Sequence, residues 1–248
     1  MLRITRLLAA VMLLSAATAG AAQPLPDFQA TYKLSRGAMK IGNSTIELIN
    51  GSDGDYTYRS RSWPVRWVGW FLKDRLSETS QGKIGESGIQ PVSYHYQRSG
   101  GSREREASLA FDWEQGIVEN DVEESRWKME IPPGTLDKLV SQLGMMLALS
   151  KGKTDITFKI ADGGKLKDYR FAKVGEETLQ LPAGTFDTVK LIKVRENNKR
   201  ETYIWCAPEL NYLPVRIWQR EKDDSEYQSD LESFTDTLRI PAEAAAGQ

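Results

Sequence analysis

Phe28-Gln29-Ala30-Thr31-Tyr32-Lys33-Leu34 (residues 28–34) is the stretch that decides the fold. Its apolar residues, Phe28, Ala30, Tyr32 and Leu34, alternate with polar ones, and a period of two marks a strand with one buried face. The same spacing recurs outward along the chain: Ile46 with Leu48, Tyr56 with Tyr58, Tyr94 with Tyr96, Leu109 with Phe111 and Trp113, and Ile156 with Phe158 and Ile160. Between these runs lie Asn50-Gly51-Ser52-Asp53-Gly54-Asp55, Gly85 to Gly88, Ser99-Gly100-Gly101-Ser102 and Asp162-Gly163-Gly164. Such residues favour tight hairpins through positive φ, so the chain reads as an antiparallel meander. Lys167 to Val174, Glu177 to Leu181, Thr185 to Glu196, Lys199 to Ala207, Tyr212 to Arg220 and Glu226 to Thr235 are further strand candidates with short connections.

One segment breaks the period. Leu136, Leu139, Val140, Leu143 and Leu147 recur at spacings of three and four after Pro132-Pro133-Gly134, which predicts one amphipathic helix over about 135–149. Thr135 is placed to be its N-cap, with Asp137 in its first turn. No fixed-period repeat, low-complexity block or alternation of long helices with strands is present. The expected fold is therefore mainly all-β: a large curved antiparallel sheet or open β-barrel carrying a single helix.

The N-terminus has the form of an export signal. Arg3 and Arg6 precede an apolar run from Leu7 to Leu14, and Ala-Thr-Ala-Gly-Ala-Ala follows, which places signal-peptide cleavage near Ala22. The apolar run is roughly half the ~20 residues that a membrane-spanning helix needs. The organisation expected is a signal peptide over 1–22, one β-rich domain over 23–240 and a disordered tail over 241–248, with the mature protein periplasmic and not membrane-spanning. Loss of Arg3 and Arg6 lowers Lys+Arg from 33 to 31 against 34 Asp+Glu and takes the formal charge from -1 to -3. At a pI of about 6.0 the chain lacks the basic character of a nucleic-acid binder. Cys206 is the only cysteine, so no intramolecular disulfide can form, and its apolar strand context suits a buried, inert thiol.

Three stretches carry a resemblance to a known family: Gly175 to Leu191, containing Leu181-Pro182-Ala183-Gly184-Thr185-Phe186; Tyr203-Ile204-Trp205-Cys206-Ala207-Pro208; and Tyr212-Leu213-Pro214-Val215-Arg216. They resemble bacterial exported proteins grouped as domain of unknown function family 3108. Phe28-x-Ala30-x-Tyr32, Ile89-Gln90-Pro91, Phe111-Asp112-Trp113 and the Leu136-Asp137 helix start are also in character. The resemblance implies a periplasmic β-rich domain and supplies no catalytic residues. In style the fold also looks like lipoprotein carriers and outer-membrane sensors, whose curved sheets shelter acyl chains, an analogy of fold and not of function. Read on their own, Pro182 and Gly184 make a tight turn that returns Phe186 and Val189 to the core, and Pro214 suits a position without a ladder donor.

Residue chemistry offers no reaction. His95 is the one histidine, which argues against His-based zinc sites, and it shares a strand face with Ser93 at roughly 6.5–7 Å, too far for a nucleophile–base hydrogen bond. Phosphate-cradle, dinucleotide and calcium-loop spacings are missing, so neither cofactor nor metal is expected. A carboxylate pair for hydrolysis could be assembled by folding, but no pair is nominated by its spacing.

The most distinctive block is Trp63-Pro64-Val65-Arg66-Trp67-Val68-Gly69-Trp70-Phe71-Leu72, with three of the seven tryptophans. Such a block packs into core or rim, or lines a hydrophobic cavity or docking patch. Trp63, Trp67, Trp70 and Phe71, with Arg66 beside them, are the candidate ligand-binding residues; Arg66, Lys73 and Arg75 suit an anionic head group. The expectation is a non-enzymatic periplasmic protein that binds a hydrophobic or lipid-like envelope ligand in a sheet cavity. Alternatives are an interaction factor for an outer-membrane or secretion assembly, with an envelope protein as partner, and a carboxylate-based hydrolase.

Overall fold

The computed structural model describes residues 25–66, 73–85, 87–101, 104–123, 125–195 and 200–236. The expected leader, cleavage site and C-terminal tail lie outside them. Eight strands come first: β1 (Phe28–Arg36), β2 (Met39–Asn50), β3 (Asp55–Pro64), β4 (Arg75–Gly85), β5 (Gly88–Ser99), β6 (Arg105–Asp112), β7 (Ile117–Val122) and β8 (Ser125–Glu130). A two-residue strand, β9 (Leu136–Asp137), and helix α1 (Ser141–Ser150) follow. The chain then returns through β10 (Asp155–Asp162), β11 (Lys165–Leu181), β12 (Gly184–Val194), β13 (Arg200–Ala207), β14 (Leu213–Glu221) and β15 (Glu226–Asp236).

All fifteen strands form one sheet in the order β8-β7-β6-β5-β4-β3-β2-β1-β15-β14-β13-β12-β11-β10-β9. The first strand thus lies at the centre, paired antiparallel with both β2 and β15 (Tyr32 opposite Ser44 and Leu231). Every pairing is antiparallel except β9 with β10. The sheet stays open, with β8 and β9 as its edges, but it curls: a Cβ on Gly164, in the β10–β11 turn, would stand 2.0 Å from Cζ2 of Trp127 on β8. That turn is a Gly163-Gly164 pair with φ of 60° and 71°, as its sequence predicts.

The alternation in β1 places Phe28, Ala30 and Tyr32 in the core, all at most 5% exposed. Neighbouring strands add Leu48, Tyr56, Tyr58, Leu109, Val118 and Leu231 on the same inner face. Residues 131–150 fill the trough. The expected amphipathic helix is corrected here in both extent and character. It starts at Ser141, because Leu136 and Asp137 pair with Ile160 and Ala161 of β10, and it is buried nearly all round, at Ser141, Leu143, Gly144, Met145, Met146, Ala148 and Leu149. A helix inside a curled sheet has no wet face to make polar. Thr135 is not its cap, since its hydroxyl donates to the Pro132 carbonyl at 2.7 Å. Asp137 does the capping work one turn earlier, its Oδ1 accepting the N–H groups of Leu139 (2.9 Å) and Val140 (2.8 Å).

The two strands expected over Lys167–Val174 and Glu177–Leu181 are one 17-residue strand, β11, which runs through Gly175 and Glu176 and absorbs Val174 as a bulge opposite β12. Pro182 and Ala183 make a two-residue hairpin closed by Leu181 opposite Gly184, and Phe186 is buried beyond it, while Val189 is half-buried. Pro214 lies at the bulge between β13 and β14, where its carbonyl accepts the buried Tyr32 hydroxyl at 2.8 Å. Cys206 is fully buried, which pushes its thiol pKa up. Among the described residues no helix is long and apolar enough to cross a membrane.

Candidate functional site

The inner face changes character along the strands. On β3 the inward residues run Tyr56, Tyr58, Ser60, Ser62; on β13 they run Cys206, Ile204, Thr202, Arg200; on β14 they run Ile217, Gln219, Glu221; and on β12 Leu191 is followed by Lys193, with Arg195 just past the strand end. Register sets Ile204 beside Ile217, Thr202 beside Gln219 and Arg200 beside Glu221, so the polar residues collect at one end. That end also carries the connections between β1 and β2, β3 and β4, β12 and β13, and β14 and β15.

There the trough opens as a cleft of about 680 Å³. Its floor is apolar, with Met145, Phe171 and Ile204 buried and Ile217 half-buried. Its wall and rim carry five cations, Lys138, Lys167, Lys193, Arg195 and Arg200, against the two carboxylates Glu78 and Asp162. Glu78 is engaged by Lys138 at 2.7 Å and by the Tyr94 hydroxyl at 2.6 Å. Asp162 takes Lys167 at 2.8 Å and the Tyr169 hydroxyl at 2.9 Å. Burial alone would raise Asp162, but these donors outweigh it and hold the carboxyl below its ordinary range.

Lys193 differs from the other cations. It is half-buried, its Nζ lies 3.0 Å from the centre of the Tyr169 ring and 5.7 Å from that of Phe171, and no carboxylate oxygen of the described residues lies within 4.0 Å of it. Burial, then repulsion from Arg195 and more weakly from Lys138 and Arg200, pushes its pKa down to about 7, against a partial opposing attraction from Asp162. Burial and Arg200 likewise depress Arg195. Beside them the Thr202 hydroxyl is buried without a hydrogen-bond partner among the described residues. A pocket with aromatic faces, crowded cations and a spare hydroxyl over an apolar floor is chemically matched to an anion with an apolar body.

Among the described residues Asp137 is the carboxylate whose pKa is raised, pushed up to about 6 by burial and, to a lesser degree, by Glu78. Its remaining oxygen accepts the Ser80 hydroxyl at 2.5 Å, and Ser80 in turn accepts from Tyr56 at 2.9 Å. With no exposure and every oxygen engaged, it has the surroundings of a structural cap, and pKa perturbation alone does not make a catalytic acid.

The residues expected to bind ligand lie elsewhere. Trp63 is out of phase with Tyr56 and Tyr58 and sits on the outer face with Arg59 and Arg61; with Arg66 it lines a separate groove of about 820 Å³. Trp67, Trp70 and Phe71 lie outside the described residues. His95 is exposed, with Nε2 3.5 Å from Glu106 across the β5–β6 pair. Nothing in the local sequence of Lys138, Lys193 or Arg200 marked a site, because loop, β12 and β13 bring them together only through folding.

A model of the proteins of unknown function DUF3108 matches residues 27–232. The chain belongs to this family. The DUF3108 chain is similar in fold to a β-barrel-like protein of domain of unknown function DUF1849 from Brucella abortus, with a TM-score of 0.56 at 9% identity over 86% of this chain and 99% of that one. Two other solved structures match with a TM-score of 0.33. One is described as a "putative lipoprotein" from Parabacteroides distasonis, at 13% identity over 87% of this chain and 98% of that one. The other is described as a "putative exported protein" with YmcC-like fold from Bacteroides fragilis, at 12% identity over 84% of this chain and 95% of that one. No curated protein matches the chain.

Proposed function

We propose that this DUF3108 protein is a periplasmic, non-enzymatic binding protein that holds a lipid-like anionic envelope molecule in the inner cleft, acyl portion on the apolar floor and head group among the cations. The observation that carries the reading is Lys193, an ammonium held half-buried against Tyr169 beside Arg195, without a described carboxylate of its own. A desolvated cation without a counter-ion is costly, and a ligand anion would offset that cost. The basic, apolar and small-residue order of residues 1–22 supports export. Binding without catalysis is supported by the way each cleft carboxylate is already held by a lysine and a tyrosine.

The test uses protein recovered from a periplasmic extract, whose mass should begin at Gln23, titrated with a fluorescent fatty acid and with the corresponding uncharged alcohol. The acid should bind at least ~10-fold more tightly than the alcohol, and Lys193→Met should remove most of that preference, since a charge-assisted contact supplies about 1.5–3 kcal/mol. Equal binding of the two probes, or an unchanged preference in a folded Lys193→Met protein, overturns the reading.

A further inference from the structure

The outer groove that contains Trp63 has chemistry unlike the cleft. Arg61, Arg66, Lys73 and Arg75 all line it and all are exposed, and among the described residues no aspartate or glutamate does. The acid nearest in sequence, Asp74, is turned to Arg98. Trp63 stands among these charges, 38% exposed, and is the one aromatic residue among the large hydrophobic side chains exposed in the described residues. On a chain of net charge -1 this is a concentrated positive field.

We propose that this groove docks the protein on an anionic lipid bilayer, with the four cations over the head groups and the Trp63 indole at the interface. An indole has an apolar body and a polar N–H and is suited to head-group depth, and each Lys or Arg near an anionic surface adds attraction. Exposed cations that each remain hydrated fit an extended charged surface better than one buried counter-ion, which is the arrangement in the cleft. The groove opens at the same end of the sheet as the cleft, since the β3–β4 and β12–β13 connections lie at that end. Docking there brings the cleft mouth to the membrane from which a lipid would enter.

The experiment is co-sedimentation of the purified protein with vesicles of phosphatidylcholine, with and without phosphatidylglycerol, at low and high salt. Binding should require phosphatidylglycerol and fall with salt, because exposed charges are screened within about 8–10 Å at physiological ionic strength. Replacing Arg66, Lys73 and Arg75 together by Ser should weaken it roughly 100-fold, and Trp63→Ala should weaken it several-fold, with unchanged thermal unfolding as the control for folding. The triple variant should still bind the fluorescent fatty acid like wild type, because none of its three residues lines the cleft, and this separates failure of docking from failure of the cleft reading. Absence of vesicle binding, equal binding to neutral vesicles, or full binding by the triple variant overturns the proposal; saturable binding of an envelope protein to the groove in place of vesicles does so as well.

Discussion

Asp137 and Lys193 are two ionisable groups that burial pushes toward their neutral forms, and the protein treats them in opposite ways. Around Asp137 the chain supplies every partner: two backbone N–H groups, the Ser80 hydroxyl and, behind it, Tyr56. Around Lys193 it supplies aromatic faces and more positive charge, with Asp162 attracting it only from beyond ion-pair distance. The first arrangement fixes the turn that leads into α1. The second leaves an ammonium with no carboxylate of the described residues within ion-pair distance, and it is on this contrast that the proposed ligand site rests.

The sharpest way to break this comparison is to remove the carboxylate. Asp137→Ala strands two N–H groups and a hydroxyl in a fully buried site and should lower unfolding free energy by about 3–4 kcal/mol in urea titrations. Asp137→Asn, which keeps one acceptor for the N–H groups, should lose about half of that. A loss below ~1 kcal/mol for the alanine variant would mean that the turn holds without its cap and that Asp137 is available for another role.

Lys193→Met should act in the opposite direction, adding about 1–3 kcal/mol near pH 6, because it replaces a crowded, partly desolvated cation by an apolar side chain of similar length. The pH dependence separates the two groups further. Lys193 has a folded pKa near 7 against an ordinary 10.5, so between these values the unfolded chain binds the extra proton and stability rises with pH. Asp137 has a folded pKa near 6 against 3.8, so between these values the folded chain binds the extra proton and stability falls with pH. The summed contribution of the pair is lowest between about pH 6 and 7. Subtracting the Asp137→Asn profile from wild type should isolate the acid limb, and subtracting Lys193→Met the alkaline one. A flat difference for Lys193 would show that its ammonium is not depressed and would remove the basis of the cleft reading.

The two regions also differ in how far they could be read from sequence. The sheet was legible because period-two alternation repeats from Phe28 to Phe234, and the polar drift on its inner face is present in Tyr56-x-Tyr58-x-Ser60-x-Ser62. The same alternation puts Trp63 opposite Tyr58, so its place on the outer face could have been read from strand phase. The helix start was misread because Leu136 and Leu139 satisfy a helical spacing while Leu136 and Asp137 gain more by pairing with β10. Tertiary pairing overrides local period where the two compete. The cleft was not legible at all. Lys138 lies 55 residues before Lys193, Lys193 and Arg200 stand on successive strands, and each alone reads as an ordinary surface charge.

The smallest effect bears on the buried hydroxyl of Thr202, 5% exposed on the cleft wall with Oγ1 unpartnered among the described residues. If the hydroxyl serves only the fold, Thr202→Val should be neutral or stabilising by up to ~1 kcal/mol, because the variant keeps the shape and removes a desolvated polar atom. If the hydroxyl completes the ligand site, the same variant should keep that stability and also bind the fluorescent fatty acid ~2–10-fold more weakly, the worth of one hydrogen bond. Stability and affinity then move in opposite directions in one variant, as expected for a group kept polar for a ligand at the expense of the fold. A variant that loses stability instead would show that Thr202 is bonded within the protein and belongs, like Asp137, to the structural set.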